Sequence, residues 1–112
     1  MKYVEHVSEP WFSLILLGLK TVEGRLNKGR FSEMKEGDVI EWCNDDFNHR
    51  SVTTTISKIC HYTSFKSYLS KERLKNCLPS IPTIKDGIDV YYKYYTPENE
   101  KKYGIVAIHL SL

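Results

Sequence analysis

The chain has 112 residues, 41% hydrophobic and 27% charged, with a formal net charge of +2. That is enough for one domain with its own core; it is not the composition of a disordered segment, and the charge alone does not mark a nucleic-acid binder. No apolar run approaches the roughly 20 residues a membrane helix needs, and the first residues lack the apolar stretch of a secretory leader, so a cytoplasmic, intracellular protein is expected.

In chain order, Ser8, Glu9 and Pro10 read as a helix start, with Ser8 as cap, Glu9 at the positive end and Pro10 in the first turn. Residues 11–17 are apolar on nearly every side, which predicts a short, largely buried helix, and Gly18 is its left-handed stop. Residues 21–26 mix β-branched and polar types around Gly24 and predict a strand. Thr21, Glu23 and Arg25 then share one face, and Val22 and Leu26 the other. Lys20 falls at the helix-to-strand corner, from which its side chain can reach either face. Residues 35–38 form a turn, 39–43 a strand closed by 44–46, and the Val, Thr and Ile of 51–62 the strongest strand signal in the chain. Ser64 caps a helix carrying Phe65, Tyr68 and Leu69, with a further turn over 70–78 before Pro79. Asp86 or Gly87 opens another helix, in which Ile88, Tyr91, Tyr92 and Tyr95 recur at i, i+3, i+4 and i+7. Tyr94 falls off that stripe and is expected to be more exposed. Pro97 ends the helix, residues 98–102 read as a polar loop, and 104–110 as a closing strand. This order predicts a single α+β domain over residues 1–112, built on a small mixed, barrel-like sheet surrounded by short helices.

Cys43, Cys60 and Cys77 are odd in number and form no C-x-x-C pair, and the four histidines show no ligand spacing. Free thiols in a reducing compartment, and no structural metal or cofactor, are the expectation. Lys20, Arg25, Lys28 and Arg30 cluster with only Glu23 among them, whereas Lys66, Lys71, Arg73 and Lys75 read as a solvated face. The excess of lysine over arginine, the single alanine and the 8 tyrosines fit an AT-rich coding genome, such as that of a virus or a low-GC bacterium.

Gly18-Leu19-Lys20-Thr21-Val22-Glu23-Gly24-Arg25 resembles the G-x-K-x-x-E-x-R signature of ASCH domains, relatives of the PUA domains of RNA-modifying enzymes. Glu9-Pro10-Trp11-Phe12 is similar to that family's first helix start, Glu36-Gly37-Asp38-Val39-Ile40 to its turn into a strand, and the tyrosine-rich helix followed by Gly104-Ile105-Val106-Ala107-Ile108 to its ending. The resemblance therefore covers essentially the whole chain. It implies a PUA-like β-barrel with helices around it, and a cleft lined by Lys20, Glu23 and Arg25 that takes RNA, a nucleotide or a nucleoside.

The residue types suit that ligand. Arg25 offers a planar fork and Lys20 a compact ammonium to phosphate. Glu23 can accept from an exocyclic amino group, Asn44 can donate and accept on a base edge, and Trp11 or Tyr95 can stack. Glu23 and Arg25 also fit an ordinary surface ion pair. Three other functions share the same residues. A metal-independent ribonuclease would use Glu23 as base beside Lys20. The resemblance also implies an acetylcytidine-type amidohydrolase, but there a threonine nucleophile stands where this chain has Glu23. The last is a non-catalytic protein-interaction module. Sequence leaves the oligomeric state open.

Overall fold

The computed structural model describes residues 1–47 and 49–112. Its first element was not legible in the sequence: β1 spans Lys2–Val7, with Tyr3, Glu5 and Val7 buried and the residues between them exposed. Helix α1 spans Trp11–Leu16 and buries Phe12 and Ile15. Ser8 does not cap it with its side chain. Glu9 does the work instead, its carboxylate accepting from the Ser13 amide at 3.0 Å and the Ser13 hydroxyl at 2.7 Å. The chain then turns through Gly18 at φ +74°, the left-handed conformation that glycine adopts without cost.

Strand β2 spans Val22–Leu26, followed by a 3-10 turn at Gly29–Ser32, β3 at Val39–Asn44 and β4 at Ser51–Tyr62. Helix α2 covers Phe65–Glu72, and the Ser64 hydroxyl accepts from the Ser67 amide at 3.1 Å as a cap should. A short α3 follows at Leu74–Cys77. Helix α4 spans Ile84–Tyr92 and starts earlier than the sequence suggests, because Thr83 rather than Asp86 caps it. Tyr95 consequently lies beyond the helix end. The stretch read as a polar loop is a helix, α5, at Pro97–Tyr103. Pro97 opens it instead of ending its predecessor: Thr96 caps, acidic residues occupy the first turn and lysines the last. Strand β5 closes the chain at Ile105–Ser111.

The architecture is α+β. The strands form one five-stranded sheet in the order β1-β3-β4-β5-β2, parallel between β1 and β3 and antiparallel elsewhere. It curls into a half-barrel. The expected barrel is not closed: among the described residues β1 and β2 stand as the two edges with no ladder between them. One face carries a core of Phe12, Ile15, Ile40, Trp42, Ile56, Val106 and Ile108. The other packs Val22, Leu26, Ile105 and Ala107 against Phe65, Tyr68, Leu69 and Tyr91 of the helical layer. Val22 and Leu26 thus anchor β2 to the helices, while Glu23 and Arg25 point to the opposite face. No helix among the described residues is long and apolar enough to cross a membrane.

Candidate functional site

The gap left by the unclosed sheet holds a cavity of about 230 Å³. Its walls come from both sheet edges, with His6 and Val7 on β1 and Glu23, Gly24 and Arg25 on β2. Trp11 of α1, Leu78 and the tyrosines at and beyond the end of α4 complete it. Arg25 spans the seam, its Nη2 donating to the His6 carbonyl at 3.4 Å.

Lys20 is only 2% exposed. Its Nζ donates to the Val22 carbonyl at 2.9 Å and to the Cys77 carbonyl, and lies 3.3 Å from Glu23 Oε1. Two of its N–H groups are thus taken by backbone carbonyls, and the charge of the ammonium faces the Glu23 carboxylate. The ammonium expected to meet phosphate is thus held largely by the protein itself, at the buried end of the cavity wall. The residue ties β2 to α3 and anchors the carboxylate next to it.

Glu23 is 6% exposed. Its Oε1 also accepts from the Gly24 amide at 3.2 Å, and its Oε2 from Arg25 Nη2 at 3.3 Å. Burial by itself pushes this carboxyl up, but the Lys20 ammonium and Arg25 guanidinium overcome it and hold it below the usual carboxylate range. In turn, burial works against the Arg25 cation and the Glu23 carboxylate more than restores it, so its pKa is raised. The Arg25 guanidinium carbon lies 4.9 Å from the Phe31 ring centre and 5.7 Å from that of Trp42, a cation–π seat that fixes the fork. Both hydrogen bonds of Arg25 use Nη2.

Gly24 is a packing requirement. A Cβ there would stand 2.5 Å from Tyr68 Cζ and 2.6 Å from its hydroxyl. Tyr68 is fully buried and shares a 2.9 Å hydrogen bond with the Tyr91 hydroxyl, so it has no room to retreat.

The aromatic wall is graded in exposure. Tyr91 stacks on Phe65 at 4.6 Å and Tyr95 at 5.7 Å, which locks both rings. Trp11 is half-buried, with the Lys20 ammonium 5.8 Å from its ring centre. Tyr94 is 66% exposed and free to meet a ligand. Its exposure follows from its place off the apolar stripe of α4. That it lines the cleft depends on the chain turning after Tyr92, which no spacing rule gives.

Of the sequence-predicted residues, the fold brings Trp11, Lys20, Glu23, Arg25 and Tyr95 to one cavity. Asn44 is not brought there. It is fully buried, its Nδ2 donates to Glu9 at 3.1 Å, and its Oδ1 accepts from the Asp46 and Phe47 amides at 2.8 and 3.2 Å. Its amide closes the turn after β3, and its burial outside the cavity wall keeps it from a base edge. That turn places Asp45 in the cavity wall, 3.3 Å from His6 Nδ1. His6 and Asp45 were missed because β1 was. The wider basic cluster also dissolves: Arg30 is held by Glu5 through two 2.8 Å hydrogen bonds.

A curled α+β half-barrel with a small, charged, aromatic-walled cavity at its seam, beside a Gly-x-Lys-x-x-Glu-x-Arg segment, defines a PUA-like frame. Residues 6–112 match the model of the ASCH domain, and the chain belongs to the ASCH domain family. The crystal structure of the hypothetical protein PH0355 is similar over 99% of this chain and 98% of that one, at 36% identity and a TM-score of 0.89. The solution NMR structure of protein PF0455 from Pyrococcus furiosus is similar over 99% and 96%, at 37% identity and a TM-score of 0.80. No curated protein matches the chain.

Proposed function

We propose that the seam binds a single nucleotide, free or as one unit of single-stranded RNA, and holds it without turnover. The observation that carries this reading is the pairing, in one cavity, of an exposed aromatic ring at Tyr94 with the Arg25 guanidinium, held in place by Glu23 and the His6 carbonyl. A stacking face plus a fixed planar fork suits a base and its phosphate. The volume of about 230 Å³ is smaller than the roughly 300 Å³ at the low end of ligand pockets, which favours one nucleotide over a longer segment. Membership of the ASCH family points the same way.

Two features favour binding over catalysis. A carboxyl held below its usual range is a weak proton acceptor near neutral pH, which counts against Glu23 as general base. Lys20 is 2% exposed and turned to two backbone carbonyls and Glu23, a poor placement for steadying a phosphorane or an oxyanion.

The test is fluorescence anisotropy with labelled single-stranded RNA, alongside competition by mononucleotides, at two salt concentrations. Arg25→Ala and Tyr94→Ala are each expected to weaken binding by roughly 5- to 150-fold, the range that corresponds to losing one stacking or charged contact of about 1–3 kcal/mol. Unchanged affinity in both variants overturns the site. RNA fragments that accumulate with the wild type and not with Glu23→Gln overturn the absence of turnover.

A further inference from the structure

Away from the seam, on the face of the sheet that meets the helices, three sequence-distant side chains converge. Cys60 on β4, Glu72 at the last position of α2 and His109 on β5 bring one sulfur, one carboxylate oxygen and one imidazole nitrogen within 4.8 Å of one another. The register explains the meeting. Cys60 pairs with Ala107, so His109, two residues further along β5, lies on the same sheet face as Cys60 and diagonal to it. Glu72 arrives from the helix packed above. We propose that these three residues form a binding site for a zinc-like divalent cation.

Two details favour a site over a casual contact. His109 Nε2 is buried and makes no hydrogen bond; Glu72 Oε1 lies 2.9 Å away, but off the direction in which a ring N–H would point. A buried ring nitrogen without a hydrogen-bond partner is unusual, and a cation between it, the carboxylate and the sulfur satisfies it. The carboxylate is also fixed in advance. The Tyr62 hydroxyl donates to Glu72 Oε2 at 2.7 Å, which leaves Oε1 turned to the histidine. Outer hydrogen bonds of this kind orient ligands in metal sites.

The donor set selects the ion class. Thiolate and imidazole suit zinc and its neighbours, whereas magnesium and calcium want oxygen alone. Three protein ligands leave a fourth position for water. On binding, the thiol proton leaves to solvent as the sulfur takes the cation. The ion would join the end of α2 to β4 and β5, reinforcing an attachment otherwise left to apolar packing, the Tyr62 hydrogen bond and the Glu72–His109 contact.

The experiment titrates chelator-treated full chain with cobalt(II), a spectroscopic stand-in for zinc. A thiolate-to-cobalt charge-transfer band is expected that saturates at one equivalent and is displaced by zinc. Cys60→Ser removes the band, His109→Gln weakens cobalt binding by roughly tenfold or more, and Cys43→Ser, at the other partly exposed thiol, changes neither. Zinc is expected to raise the melting temperature of the wild type and not that of His109→Gln. No band in the wild type at excess cobalt overturns the proposal, as does a band that survives Cys60→Ser or disappears with Cys43→Ser. If Cys60→Ser does not fold, the wild-type titration and the His109→Gln comparison decide. None of these readouts depends on ligand binding at the seam.

Discussion

Lys20→Met tests the role the structure gives the motif lysine. The substitution keeps the side-chain length and removes the ammonium from a site that is 2% exposed. It strands the Glu23 carboxylate with Arg25 as its sole cation and leaves the Val22 and Cys77 carbonyls without their donor. Removing one member of a buried ion pair costs about 3–5 kcal/mol. Each orphaned carbonyl adds about 1–3 kcal/mol if it stays dry. Arg25 still offsets part of the carboxylate and water can reach the cavity side, so the net expectation is about 3–5 kcal/mol. At ~4 °C per kcal/mol for a chain of this length, the melting temperature falls by roughly 12–20 °C. Urea unfolding followed by far-UV circular dichroism measures it, with the m-value unchanged. Adding Glu23→Gln removes the uncompensated charge, so the double variant is more stable than the sum of the single effects by roughly 1–3 kcal/mol. A loss below about 1 kcal/mol, or strict additivity, would show that the ammonium is solvated and would refute the account. The same reasoning assigns Lys20 a structural role: while the variant remains folded, its RNA affinity falls less than that of Arg25→Ala.

Acid sensitivity follows from the Glu23 carboxyl. Its folded pKa lies below its ordinary value of 4.5, so its contribution is full above that value and is lost as pH falls through the lower, folded one. Glu23→Gln is therefore expected to flatten the decline of unfolding free energy between neutral pH and about pH 3, measured by urea titration at each pH. Gly24→Ala drives a methyl into the buried Tyr68 ring and is expected to cost about 1–3 kcal/mol, read in the same assay; a neutral result would mean that β2 can lift off the helices. Trp11 lines the cavity while Trp42 is fully buried. Nucleotide binding should therefore quench the fluorescence of the wild type and of Trp42→Phe, and leave that of Trp11→Phe unchanged.

The elements that were legible in the sequence are those whose burial follows hydrophobic type. The Ser64-capped α2, with Phe65, Tyr68 and Leu69 buried, follows that rule best, whereas the helix expected to be largely buried over 11–17 buries only Phe12 and Ile15 and leaves Leu16 and Leu17 exposed. Strand β1 does not follow it: its buried set includes Glu5, neutralised by Arg30 from a distant turn, while Val4 on its outer side is 52% exposed. No local pattern reports such a swap. Helix α5 carries every local signal, a threonine cap, a proline at the start, acids first and lysines last, but a proline just after one apolar stripe serves equally as its ending. At the site, the motif identified Lys20, Glu23 and Arg25, and strand alternation placed the last two on one face. It could not show that Lys20 would be held by two backbone carbonyls, because Cys77 reaches it only through the packing of α3 on β2. Asn44 was misplaced for the same reason: its partners lie in the turn it closes and on Glu9.

The clasp between Arg30 and Glu5 has a bearing on the slot that neither residue enters. Glu5 belongs to the strand forming one bank, and Arg30 to the turn that leaves the strand forming the other. The aperture is therefore gauged from outside, by a two-pronged strap between banks that share no ladder. That strap can be altered without touching any group that lines the slot.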